Sequence, residues 1–105
     1  MPSTKEYLDF ILEQLSGAEE VTYRAMMGEY ILYYKGRIFG GVYDNRLLIK
    51  PVAAARSLMP DAAAELPYEG AKEMLLVDNL DDREFLADLL EAVYPELPAP
   101  RKKKK

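Results

Sequence analysis

Cysteine and histidine are both missing from this 105-residue chain. Without cysteine there are no disulfides, no thiolate metal ligands and no sulfur nucleophile. Without histidine the chain lacks the commonest metal ligand and the one side chain whose unperturbed pKa lies near neutrality. Ser-His-Asp and Cys-His systems are therefore excluded, and an enzyme built from these residues would need carboxylate, lysine or tyrosine chemistry. No apolar run approaches the roughly 20 residues that cross a bilayer, and the opening Met-Pro-Ser-Thr-Lys leads into an amphipathic segment rather than the apolar core of a signal peptide. The expectation is a cytoplasmic, non-enzymatic protein with no cofactor, no metal and no membrane association.

What is present is globular in composition. Half of the residues are apolar, in short runs broken by glycine, proline and aspartate, and the length suits one hydrophobic core. Charge is unevenly placed. Arg101, Lys102, Lys103, Lys104 and Lys105 supply five of the 14 basic residues, leaving nine against 18 acidic ones in residues 1–100, a net charge near −9. Such a body repels a phosphate backbone, so affinity for nucleic acid has to reside in the tail or in a local basic patch. Residues 1–97 are read as the folded domain and 98–105 as a disordered basic tail entered through Pro98 and Pro100.

Local patterns give an element order. Ser3-Thr4-Lys5-Glu6 reads as a capping box with Ser3 as N-cap, followed by Leu8, Ile11, Leu12 and Leu15 at helical spacing, Glu13 and Gln14 opposite, and Gly17 as a left-handed stop. From Glu20 the period changes to two: Val21, Tyr23 and Ala25 alternate with Thr22, Arg24 and Met26 as in a half-buried strand. Turns at Gly28, Lys35-Gly36 and Asp44-Asn45 separate apolar and aromatic runs, and connections this short join only antiparallel neighbours. Residues 20–50 are thus predicted to form a four-stranded antiparallel meander.

A short Ala-rich helix over 52–59 is bracketed by Pro51 at its first turn and Pro60 beyond it. One or two further strands follow, an irregular edge piece at 66–70 containing Pro67 and a strand over 74–77. The last helix begins at Asp81 as N-cap with Glu84 three residues on, buries Leu86, Leu89, Leu90 and Val93, and ends at Pro95. The fold class is α+β, a two-layer sandwich of helices on a largely antiparallel sheet.

Particular residues carry a resemblance. Glu20-Val21-Thr22-Tyr23-Arg24-Ala25-Met26-Met27-Gly28, then Tyr30-Ile31-Leu32-Tyr33-Tyr34-Lys35-Gly36-Arg37-Ile38-Phe39, then Tyr43 to Lys50, resemble the N-terminal domain of the TfoX/Sxy competence-regulator family. Tyr7 in the first helix and Tyr68-Glu69-Gly70 agree, and the resemblance spans residues 3–94. Glu29 stands where the family usually has a second glycine, which bears on the geometry of the turn before it. The helical C-terminal domain of the full-length regulators has no counterpart in these residues. The resemblance implies the fold and an association with transcriptional control of DNA uptake.

Two functional readings follow, a module that binds an unidentified protein partner and, as the alternative, an accessory nucleic-acid binder. Tyrosines interleaved with cations on a sheet can stack bases, which singles out Arg24, Tyr34 and Arg37 together with the five tail cations. Against this, alternation along strands places some rings in the core and others on a solvated face, and no RNP-type motif occurs. Tail contacts with nucleic acid are expected to be weak and sequence-independent. Asp78, Asp81, Asp82 and Glu84 match no calcium-loop spacing and are assigned to helix capping. The chain is expected to be a monomer or homodimer.

Overall fold

A computed structural model describes residues 3–97, and the basic tail lies outside them. A first helix, α1 (Lys5–Gln14), ends in a 3-10 turn (Leu15–Gly17). Strands β1 (Val21–Met26), β2 (Glu29–Tyr34), β3 (Arg37–Val42) and β4 (Leu47–Ile49) follow, then α2 (Ala53–Leu58), β5 (Ala64–Glu65), β6 (Met74–Leu76) and α3 (Arg83–Val93), closing with a 3-10 turn (Tyr94–Glu96). The strands form one antiparallel sheet in the order β1-β2-β3-β4-β6-β5, so the expected meander is present and β6 inserts between β4 and β5.

All three hairpin turns of the meander use paired left-handed residues, Met27 and Gly28, Lys35 and Gly36, Asp44 and Asn45. Two positive-φ residues match the twist of the flanking strands, which is why such turns close hairpins. One face of the sheet carries the core. Leu8, Ile11 and Leu15 from α1, Leu86, Leu89, Leu90 and Val93 from α3, and Ala55 from α2 pack on Leu32, Tyr34, Phe39, Val42, Leu47, Ile49 and Leu75. A bulge between β2 and β3 leaves Phe39 as an extra residue, since Leu32 pairs with Gly40 while Tyr33 pairs with Ile38. Phe39 turns into the core, Ile38 outward, and Arg37 lies across from Tyr34 on the helix side. Gly40 is demanded by packing, because a Cβ there would lie 2.1 Å from the Leu48 carbonyl oxygen and 2.8 Å from the Ile49 Cα.

Several local expectations are corrected. The N-cap of α1 is Thr4, whose hydroxyl accepts from the Tyr7 amide at 3.1 Å, because Ser3 is engaged elsewhere. The N-cap of α3 is Asp82, not Asp81, accepting from the Phe85 amide at 3.0 Å. Gly17 is not left-handed; the positive φ, 61°, is at Glu20, where the chain enters β1. Gln14 is buried instead of solvated, and its amide donates to the Leu80 carbonyl at 2.6 Å, tying the end of α1 to the approach of α3. Leu12 is only partly buried. Pro51 precedes the Val52 N-cap rather than occupying the first turn of α2. The edge piece is β5 at Ala64–Glu65, with 66–73 irregular beyond it. Finally, β1 is exposed from 22 to 26, because it lies at the sheet edge where the helices cover too little of it.

Candidate functional site

Tyr34 and Arg37 face each other across the β2–β3 hairpin and both work on the end of α3. The Tyr34 hydroxyl donates to Glu91 Oε2 at 3.2 Å, and its ring meets Tyr94 edge-on with centroids 5.6 Å apart. Burial first, and the Glu91 carboxylate second, raise that hydroxyl above the usual tyrosine pKa, so it stays a neutral donor. Arg37 places its guanidinium carbon 4.5 Å from the Tyr94 ring centroid and donates to the carbonyls of Tyr94 and Leu97, each at 3.3 Å. Lys35 Nζ lies 5.1 Å from the Tyr34 ring centroid and 5.5 Å from that of Tyr94. The group clasps the last turn of the fold to the hairpin, its cations stacked on the negative faces of the rings. A base would have to displace protein groups already occupying these rings and donors.

Arg24 is elsewhere. It pairs with Ile31 in the middle of the exposed strand β1, an odd number of positions from the residue that faces Tyr34, and therefore points to the opposite face of the sheet. The structure thus brings Tyr34 and Arg37 together and leaves Arg24 apart; the five tail cations lie outside the described residues.

Around β1 the structure gathers features that strand patterning alone did not single out. Tyr23 and Met26 are each more than two-fifths exposed, and Met27 at the hairpin tip is 95% exposed. The Tyr23 ring meets Tyr30 edge-on at 5.8 Å, which fixes it upright beside the edge. Between the end of α1 and β1 runs an open groove of about 420 Å³, lined by Leu12, Leu15, Ser16, Ala18, Glu20, Val21, Thr22 and Tyr23. Tyr23, Met26 and Met27 thus put three long apolar side chains into water within five residues of chain beside the open edge.

On the face away from the helices, Tyr43 lies over Gly41, whose missing side chain makes room for it: a Cβ there would approach the ring to 2.7 Å. Leu48 is buried on the same face. The 66–73 segment covers this patch, with Tyr68 6.3 Å from Tyr43 between ring centroids and a groove of about 280 Å³ beside it that also takes in Ile38, Lys50 and Lys72. Burial, then Tyr68 and Glu29, raise the Tyr43 pKa.

Glu29, the departure from the usual glycine, has a defined place. It is the first residue of β2, so the two-residue Met27-Gly28 turn is retained. Its Oε1 accepts from the Ser3 amide at 3.1 Å, the Ser3 hydroxyl at 2.6 Å and the Asp44 amide at 3.1 Å. The Asn45 amide donates to Ser3 Oγ, and Asn45 Oδ1 accepts from the Thr4 amide, each at 3.0 Å. This carboxylate and the Ser3 hydroxyl buckle the start of α1 to the β1–β2 and β3–β4 turns. No sequence signal marks it, because the partners lie 15 to 42 residues apart.

Among the described residues, no three carboxylates are grouped to hold a metal ion, and no helix is long and apolar enough to cross a membrane. The TfoX N-terminal domain family matches residues 13–94. An uncharacterised 12.7 kDa protein in the trpE 5′ region of Spirochaeta aurantia is 32% identical over 105 residues, covering 99% of this chain and 91% of that protein. No solved structure matches. With the matched segment running from the end of α1 to the end of α3, the chain belongs to the TfoX N-terminal domain family.

Proposed function

We propose that the chain is a non-enzymatic regulatory module that works by holding a protein partner, linked through its family to the control of competence. The observation that carries the reading is the β1–β2 hairpin, which exposes an open strand edge together with Tyr23, Met26 and Met27. Exposed main chain supplies affinity in strand addition, and flexible methionines adapt to varied apolar surfaces. Of the sheet residues singled out for a base, Tyr34 and Arg37 are directed inward at the α3 clasp and only Arg24 faces solvent, which favours a protein over a nucleic acid as the ligand of the folded body. Affinity capture from the native cell, with and without nuclease, tests this. Capture of one defined protein that survives nuclease and is lost on Met27→Asp supports it; capture that nuclease abolishes overturns it.

The alternative, an accessory nucleic-acid binder, draws on one observation, the run of five cations from Arg101 to Lys105 beside an otherwise acidic chain. Charge of that kind supplies attraction without geometry for reading base edges.

A further inference from the structure

We infer that the open edge of β1 is an interface with a second copy of this chain, the two β1 strands pairing antiparallel about a two-fold axis at Tyr23. This deepens the binding-module reading and rests on it.

The main chain is arranged for such pairing. The Lys35 amide donates to the Glu20 carbonyl at 3.0 Å, and the two-residue Met27-Gly28 turn makes Met26 and Glu29 its hydrogen-bonded flanking pair. By alternation Thr22, Arg24 and Met26 direct their amides and carbonyls to β2, which leaves those of Val21, Tyr23 and Ala25 directed to the open edge. These three are symmetric about Tyr23. Pairing Tyr23 with its symmetry mate and Val21 with Ala25 of the other copy employs every outward group of the strand.

Side chains select the same register. Thr22 then faces Arg24 of the other copy, whose diagonal neighbours are Glu20 and Arg24 of the first, so no like charges are directly opposed and each cation has one carboxylate within diagonal reach. Sliding by one pair in one direction opposes the two Arg24 residues; sliding in the other leaves Ala25 without an outward partner group. In the symmetric register Met27 of one copy falls beside Glu19 of the other, next to the groove that Leu12, Leu15 and Ala18 line, while Met26 shares the face of Arg24, away from the helices. Each copy thus presents an apolar tip and an apolar groove at matching distances from the axis, as an isologous interface requires. The exposure of Met27 and the partial burial of Leu12 both find their cover in this arrangement.

The interface is small, so the dimer is concentration-dependent. Sedimentation equilibrium of the purified chain over roughly 1 μM to 1 mM is expected to show an average mass rising from 11.9 kDa toward twice that value. Arg24→Glu, an exposed substitution outside the core, is expected to weaken association about tenfold or more by setting carboxylates near Glu20 across the axis. The register is read by cross-linking, which the absence of native cysteine makes unambiguous. Tyr23→Cys is expected to oxidise to a disulfide dimer, since facing Cα atoms of a hydrogen-bonded pair lie about 5.5 Å apart. Thr22→Cys mixed with Arg24→Cys is expected to give the heterodimer in preference to either homodimer. A chain that stays monomeric to 1 mM, or cysteines that cross-link without this preference, overturns the proposal. The binding-module reading fails separately, if the cell yields no nuclease-resistant partner while self-association is intact.

Discussion

The sheet has two edges, and they are finished differently. At the β5 edge the strand is two residues long, Pro67 follows closely, and Arg46 gathers the surrounding groups. Its guanidinium pairs with Glu65, donates to the Leu66 carbonyl at 3.1 Å and, through Nε, to the Tyr43 carbonyl at 3.1 Å. The β1 edge is six residues long and contains no proline, and Arg24 is its only charge. Shortness, proline and charge are the devices by which proteins keep sheet edges from pairing. One edge carries them and the other largely does not, and the proposed pairing of β1 rests on that contrast.

The largest expected effect strikes the centre that both edges share. Gly40→Val forces side-chain atoms into the β4 backbone and is expected to cost more than about 3 kcal/mol in urea unfolding, because the obstructing atoms are main chain and cannot move aside. Near wild-type stability would mean that β3 and β4 are not in this register. Next comes the helical layer. Leu90 is fully buried in the core, and Leu90→Ala is expected to cost roughly 2 to 5 kcal/mol, whereas a loss below about 0.5 kcal/mol would show that α3 is not docked on the sheet.

A pair of substitutions separates the edges themselves. Arg46→Ala removes three polar contacts at the closed edge and is expected to cost about 1 kcal/mol. Arg24→Glu at the open edge is expected to stay within about 0.5 kcal/mol of wild type at concentrations where the chain is monomeric. Equal costs would erase the distinction between a tied edge and a free one. The smallest effect on the fold is expected from deleting residues 101–105, which should leave the melting temperature unchanged. Duplex DNA affinity, where it is measurable, should vanish with the tail and have a log-log salt slope no steeper than about −4.5, the value for five phosphate contacts. Salt-sensitive affinity that survives the deletion would move the nucleic-acid reading onto the sheet.

Legibility in the sequence followed the distance between interacting groups. The meander was readable because each hairpin is closed by neighbours, Lys35 with Gly36 and Asp44 with Asn45, whose backbone preferences act locally. The buried stripe of α3 was readable because one helix face repeats within a few residues. Caps were readable only to within one position: Thr4 for Ser3 and Asp82 for Asp81 are changes of register between chemically equivalent candidates. Of the candidate site, Tyr34 and Arg37 lie opposite each other because the Lys35-Gly36 turn between them sets the hairpin register. Their engagement with Glu91, Tyr94 and Leu97 was not visible, since those partners lie 57 to 60 residues away.

By itself the sequence determined that this is an α+β chain without thiol or imidazole chemistry, with an acidic body, a basic end and the residue blocks of its family. Those properties depend on composition, short-range periodicity and turn stereochemistry, which are complete within a few consecutive residues. Tertiary structure alone decided which strands became edges, and therefore that an alternating strand such as β1 is exposed instead of half-buried. It also decided that Ser3 and Glu29 fasten two turns, and that Arg37 serves α3 while Arg24 faces solvent. Burial and partnership are properties of what packs against a residue, and for these residues the packing comes from parts of the chain that local pattern does not specify.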